Sequence, residues 1–274
     1  MHQKEDGWVK TLRIDAPDLQ NNTADADRLI DALAKRLEIH RFDLTIDLDL
    51  LRQLPFLLRE WRYHVQCILF RERSHWILAG LQPADNRRSP MGLAVDLGTS
   101  RVVLRLVNLM GGDVLGEDAF DNPQIEIGPD ILARIHYADN PKGLGYLQRL
   151  ISDGINRYIA RLCRSCTQEP TDIYLITVAG NTAMTHLLLG LSPSWMIREP
   201  YIPVVNRPGL VSSAELNLQV SPHARVFVFP NIGSYFGGDL IAGLLYSRVH
   251  RSDETALLVD VGTNAEVVLG NKQW

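Results

Sequence analysis

Trp8-Val9-Lys10-Thr11-Leu12-Arg13-Ile14 alternates apolar with polar or small side chains and stops at Asp15-Ala16-Pro17, a period of two that predicts a strand closed by a turn. Thr23 then offers a hydroxyl N-cap, and Asp25 and Asp27 put negative charge where a helix dipole favours it. Leu29, Leu33 and Leu37 mark one face of that helix, which is expected to run for about four turns. A second helical pattern over 48–61 contains Pro55, where a kink or a late start is expected because proline removes a backbone donor and crowds the preceding turn. Residues 63–70 and 75–81 read as a hairpin around Arg71-Glu72-Arg73, and 82–90 reads as a linker without periodicity. The segment 1–88 is thus expected to be a small β-α-α-β-β unit. It carries no catalytic constellation, and His40, His64 and His75 read as surface or strand residues rather than ligands.

The next segment changes character. Gly92-Leu93-Ala94-Val95-Asp96-Leu97-Gly98-Thr99-Ser100 leads into Val102-Val103-Leu104-Arg105-Leu106-Val107, an apolar strand that enters an acidic Gly-Thr-Ser turn and returns. Gly98 tolerates positive φ and, without a Cβ, lets backbone N–H groups approach an anion, while Thr99 and Ser100 add hydroxyls. Asp96 is suited to hold Mg²⁺ through water, because that ion gives up its hydration reluctantly. Alone, such a loop is also an ordinary hairpin turn. The pattern recurs, however, where Ala256-Leu257-Leu258-Val259-Asp260-Val261-Gly262-Thr263-Asn264 leads into Glu266-Val267-Val268-Leu269-Gly270. Two related half-domains facing one nucleotide would produce this pair, each loop gripping phosphate from its own side with a metal between Asp96 and Asp260. Two unrelated hairpins with convergent turns are the alternative.

Between the loops, Asp113-Val114-Leu115-Gly116 is weakly strand-like, a turn follows at 121–125, and Pro129 opens a helix over 129–138. Leu144, Leu147, Ile151, Ile155, Tyr158 and Leu162 then recur every three or four residues, the mark of a long amphipathic helix. Ile173-Tyr174-Leu175-Ile176-Thr177-Val178 predicts a strand buried on both faces, which runs through Gly180-Asn181-Thr182 into a helix. That junction reads either as a ligand site at a helix N-terminus or as an N-cap by Asn181 or Thr182. A strand over 224–229 ends in Pro230-Asn231-Ile232-Gly233-Ser234 and reaches Gly237-Gly238-Asp239 before a helical stretch at 240–249. The paired glycines suit close ligand approach. Asp239 suits a metal-water or general-base role, or else is a helix N-terminal aspartate favoured by the dipole.

Composition narrows the partners. The 274 residues suffice for one large or two ordinary domains, and a net charge of −4 with 46% hydrophobic residues excludes whole-chain disorder and a strongly basic nucleic-acid surface. No run approaches the roughly 18 apolar residues that span a bilayer. The first residues, Met1-His2-Gln3-Lys4-Glu5-Asp6, are charged where a signal peptide is apolar, so a cytoplasmic protein with neither membrane nor nucleic acid as partner is expected. Cys67, Cys163 and Cys166 offer no disulfide framework, and Cys163-Arg164-Ser165-Cys166 lacks a second pair of metal ligands.

Taken in order, the strand ending in Asp96-Leu97-Gly98-Thr99, Asn122-Pro123-Gln124-Ile125, Gly180-Asn181-Thr182-Ala183-Met184-Thr185-His186, Pro230-Asn231-Ile232-Gly233-Ser234 and Asp260-Val261-Gly262-Thr263-Asn264 resemble the reductive activators of corrinoid proteins, which belong to the actin, Hsp70 and sugar-kinase superfamily. The resemblance implies an α/β fold: a linker and middle domain over 1–88, then the N-terminal part of a ribonuclease H-like ATPase domain over 91–274. It implies ATP and Mg²⁺ as cofactors and ATP-driven reduction of Co(II) to Co(I) in a corrinoid protein or corrinoid-dependent methyltransferase, and it allows a homodimer. In the family the electron comes through a [2Fe–2S] or other iron–sulfur domain, for which this chain lacks the four cysteines of a cluster. The nucleotide set is then Asp96, Gly98, Thr99, Ser100, Gly180, Asn181, Thr182, Gly237, Gly238, Gly262, Thr263 and Asn264, with Asp239 catalytic and Asp96 and Asp260 at the metal. Arg101 and Ala265 depart from the family's loops, which continue with threonine and with a second glycine. The chain stops at Trp274 soon after the second loop, so a truncated relative or fragment is expected. Besides ATP-dependent activation, two readings stay open: a non-catalytic interaction fragment, and a small-molecule kinase of the same superfamily.

Overall fold

A computed structural model describes residues 8–262 and 265–274. The chain begins with β1 (Val9–Arg13), α1 (Asp25–Leu37), β2 (Leu44–Ile46), α2 (Leu48–Glu60), β3 (His64–Glu72) and β4 (His75–Pro83), which form a four-stranded sheet in the order β1-β3-β4-β2. β2, parallel to β4, adds a strand to the expected unit; with three residues it is too short to show a period. The expected Thr23 cap is not made. Ala24 occupies the N-cap of α1 without a side-chain bond, and the Thr23 hydroxyl donates to Asn21 Oδ1 at 3.0 Å. α2 runs through Pro55. Leu29 and Leu33 of α1 and Leu50, Leu54 and Leu58 of α2 are fully buried in one core with Val65, Cys67 and Leu69 of β3. Each such side chain contributes about 1.5–3 kcal/mol through burial, which outweighs the missing cap.

The second sheet holds β5 (Met91–Leu97), β6 (Arg101–Asn108), β7 (Val114–Asp121), β8 (Ile173–Gly180), β9 (Leu210–Ser212) and β10 (Arg225–Val228) in the order β7-β6-β5-β8-β10-β9. β5, β6 and β7 form an antiparallel meander, β8 and β10 continue from β5 in parallel, and β9 closes the edge antiparallel. This mixed sheet has the architecture expected of the superfamily. Between the strands lie α3 (Ile131–Tyr137), α4 (Pro141–Ser165), α5 (Thr182–Leu189) and α6 (Gly238–Ser247), and after them the hairpin of β11 (Ala256–Val261) and β12 (Ala265–Gly270). Pro129 lies outside α3, whose N-cap is Asp130, accepting from the Ala133 N–H at 2.8 Å. Helix entry is thus set by a carboxylate cap rather than by proline's φ.

Side chains alternate across a strand, so the register decides which residues share a face. Leu93, Val95 and Leu97 of β5, with Val102, Leu104 and Leu106 of β6 and Ile176 and Val178 of β8, turn to one side and pack with Leu147, Ile151, Ile155, Ile159 and Leu162 of α4. Leu147, Ile151, Ile155 and Leu162 are where the period puts them, whereas Ile159 takes the core position expected of Tyr158, and Tyr158 and Leu144 pack partly buried at the stripe's edge. The opposite face carries Ala94 and Asp96 beside Val103, Arg105, Thr177 and Ala179.

The two sheets meet through Ile68 and Ala79 of the first and Tyr174 and Leu175 of the second, all buried. Arg88 Nε pairs with Asp172 Oδ2 at 3.0 Å, and Arg225 pairs with Asp47. A Cβ at Gly80 would lie 2.3 Å from the Tyr174 ring, so the rings and strands meet at the closest approach the backbone allows. Gly80→Ala is expected to cost about 1–3 kcal/mol by overpacking, read as a lower midpoint in urea unfolding, and Tyr174→Leu in the same background is expected to restore part of the loss. A Gly80→Ala chain as stable as the wild type would show that the contact carries no strain.

Candidate functional site

The face of β5 that bears Ala94 and Asp96 opens onto a cavity of about 1140 Å³, slightly above the roughly 300–1,000 Å³ usual for small-molecule sites. The strand ends shape it. β5 and β8 run parallel, so the loops that follow them, Gly98-Thr99-Ser100 and Asn181, emerge at the same edge of the sheet. From the other side come Asp239, Ala242, Gly243 and Tyr246 of α6, and Asp260, Val261, Gly262 and Glu266 of the β11–β12 hairpin. The two Asp-containing turns therefore converge on one cavity rather than on opposite sides of the molecule.

Local bonds hold the first turn. Asn181 caps α5 by accepting from the Met184 N–H at 2.9 Å, and its Nδ2 donates to Thr99 Oγ1 at 2.9 Å. The N-cap reading of that junction is thus observed at Asn181, whose amide also ties it to the first turn. Because Thr99 Oγ1 already accepts from Asn181, its hydroxyl proton is free to donate elsewhere. Gly98 is a correction: its φ is not positive, and glycine is needed because a Cβ would sit 2.4 Å from the Arg101 carbonyl oxygen.

The charge is lopsided. Arg105 is the cation among the described lining residues, and its Nε pairs with Glu117 Oε2 at 2.5 Å across β6 and β7. Asp96, Asp239, Asp260 and Glu266 have no such partner among the described residues. Asp96 is exposed to the open cavity, and the surrounding chain shields its carboxylate from solvent only in part. Burial first, then the charges of Asp239 and Asp260, hold its carboxyl above the ordinary range, while Arg105 acts in the opposite direction. Burial also raises Asp239, against the lowering effect of the Leu240 N–H, and Asp260 raises it further. Glu266 is raised by burial and by the same two aspartates. Such a cluster attracts a cation, but among the described residues no group of three or more His, Cys, Asp or Glu is arranged to hold a metal by itself. The donor set fits an ion that keeps most of its water and takes its remaining ligands from a bound anion.

Of the residues singled out from sequence, Asp96, Gly98, Thr99, Ser100, Asn181, Asp239, Asp260 and Gly262 line this cavity. Gly180, Thr182, Gly237 and Gly238 do not. A Cβ at Gly180 would lie 2.7 Å from the Leu97 carbonyl, and one at Gly237 would lie 2.5 Å from Asn181 Cα, so Gly180 lets the paired ends of β8 and β5 approach and Gly237 lets the loop before α6 pack on the Asn181 backbone. Gly238 lies equally tight against Phe229, and buried Thr182 donates to the Gly233 carbonyl at 3.2 Å. Thr263 and Asn264 lie outside the described residues. Sequence reasoning missed Arg105, Glu117, Tyr246 and Glu266. The period of two was the available signal, since Arg105 shares the face of Val103 and Glu266 pairs across the hairpin with Asp260.

Two family models match the chain: the RACo linker region over residues 8–88 and the RACo middle region over residues 91–252, the latter more than half of the chain. The corrinoid activation enzyme RamQ of Eubacterium limosum is 29% identical over 276 residues, spanning 93% of this chain and 46% of that protein. The solved structure of a reductive activator for a corrinoid, iron-sulfur protein matches with a TM-score of 0.88 and 33% identity, covering 100% of this chain and 44% of its own. The chain therefore spans less than half the length of these relatives. Matched by both regional models across nearly all of its described residues, and to a reductive activator over its whole length, the chain belongs to the RACo family.

Proposed function

We propose that the cavity is a Mg-ATP site and that the chain works in ATP-driven reductive activation of a corrinoid protein, in which one electron from an iron–sulfur donor takes Co(II) to Co(I). The observation that carries the reading is the convergence of two Asp-containing hairpin turns on one acidic cavity in a chain of this family. Asp96 and Asp260 would hold the water shell of Mg²⁺, which would neutralise phosphate charge when bound. The Thr99 hydroxyl, oriented by Asn181, and the Ser100 hydroxyl are the donors for phosphate oxygens. Asp239, at the first turn of α6, is the carboxylate to orient or deprotonate an attacking water; burial makes it a stronger base than a free aspartate once ionised. A partner corrinoid protein bound with different affinity in the ATP and ADP states would couple hydrolysis to reduction.

Titrating Mg-ATP into the purified chain is expected to raise its melting temperature, with about 2.7 kcal/mol of added stability at a hundredfold excess over Kd. No shift at millimolar nucleotide would leave the interaction-fragment reading in its place.

Asp96→Asn is expected to abolish that nucleotide-dependent gain while slightly raising the melting temperature of the ligand-free chain, by no more than about 1–2 °C because solvent screens the exposed carboxylate. The folded chain holds the Asp96 proton more tightly than the unfolded chain does, so ionisation destabilises the fold as pH rises through and above the ordinary carboxylate range. The gap between variant and wild type should therefore widen as pH rises above the ordinary carboxylate range in differential scanning calorimetry. A variant that is less stable at neutral pH, or that keeps its Mg-ATP affinity, would return Asp96 to a structural role.

A further inference from the structure

We propose that Asn122 is the positioning residue of the β5–β6 loop, setting its backbone to present an N–H donor to the cavity without itself lining it; the inference rests on the Mg-ATP reading. Asn122 follows β7 and has no exposed surface. Its backbone N–H donates to the Ser100 carbonyl at 2.8 Å, and its side-chain Nδ2 donates to the Gly98 carbonyl at 2.9 Å. Its Oδ1 accepts from the Gln124 N–H at 3.0 Å, which settles the orientation of the amide and leaves the donor end for Gly98.

The anchor is itself held. Gln124 is fully buried, and its Nε2 donates to the Leu147 carbonyl of α4 at 2.8 Å. Behind it, the fully buried Arg134 donates Nε to the Gly128 carbonyl at 2.9 Å and approaches Gln124 Oε1 with Nη1 at 3.4 Å. No carboxylate pairs with Arg134 among the described residues, so the network is a polar frame built at a desolvation cost in the core.

The consequence follows from peptide geometry. Across the trans Gly98–Thr99 bond, the carbonyl of Gly98 and the N–H of Thr99 point in opposite directions. Drawing the Gly98 carbonyl inward to Asn122 turns the Thr99 N–H outward, on the side where Gly98, Thr99 and Ser100 line the cavity. The loop has little freedom to adopt another shape, because Gly98 already lies against the Arg101 carbonyl. Asn122 therefore acts through the backbone of Gly98 and Ser100.

The test compares Asn122→Ser with Asn122→Ala in the full 274-residue chain. Serine keeps an oxygen able to cap the turn at Gln124 but cannot reach the Gly98 carbonyl, whereas alanine loses both contacts. Both variants are expected to weaken Mg-ATP binding by about tenfold or more in calorimetric titration, the effect of one lost hydrogen bond at the loop. Hydrogen exchange at the residue 122 amide, which donates to Ser100, is expected to quicken by a similar factor in Asn122→Ser. Wild-type affinity, within about twofold, in a folded Asn122→Ser chain would reduce Asn122 to a turn cap and overturn the proposal. If the wild type fails to bind Mg-ATP, the nucleotide reading fails on its own account, and the exchange rate alone decides whether Asn122 holds the loop: unchanged exchange overturns the proposal.

Discussion

The site depends on β5 being clamped in one register between antiparallel β6 and parallel β8. Because a strand sends alternate side chains to opposite faces, that register puts Leu93, Val95 and Leu97 into the core and Ala94 and Asp96 into the cavity. A slip of one residue would bury the Asp96 carboxylate among Val102, Leu104 and α4, at the cost of an unpaired charge in an apolar medium. The apolar core therefore aims the acidic group. The parallel pairing does the rest, since it brings the Gly98 turn and the Asn181 turn out at the same sheet edge, where one amide bridges them.

Around that frame the cavity gathers negative charge that the described residues leave largely uncompensated. Burying like charges together raises their proton affinity and costs stability, a cost found where a ligand later relieves it. The core tolerates the cost because α4 and the six-stranded sheet bury a continuous apolar stripe. The first sheet closes the far end of the same face: Leu175, two residues before the cavity-lining Thr177, packs on Ile68 and Ala79. Aromatic contacts run from Phe70 through Phe227 to Phe229, which lines the cavity, so packing between the sheets extends to the wall of the site.

Much of the fold was legible because periodicity is local. The long helix over Leu144 to Leu162, the hairpin at Asp96, the strand at 173–178 and the recurrence of the acidic turn at Asp260 all follow from spacing. Features set by only a few residues were not legible. β2 has three residues and exists through pairing with β4, and α1 starts one residue later than a Thr23 cap would set it, with Ala24 at an N-cap position that no side chain caps while Leu29 and Leu33 are fully buried. Likewise the glycines at 180 and 237 look alike in sequence to a ligand-binding glycine, but one serves the close approach of β8 to β5 and the other the packing of a loop on Asn181.

By itself, the sequence determined the kinds of elements, the apolar stripes and the presence of two matching acidic turns, since these rest on residue type and on spacings within one helix or strand. Only the tertiary structure decided that the turns share a cavity, that Arg105, Glu117 and Glu266 join them, and that buried Asn122 bonds to Gly98 and Ser100, 24 and 22 residues earlier in the chain. Those relations depend on strand register and on hydrogen bonds between distant segments, and a one-dimensional pattern of polar and apolar positions contains neither.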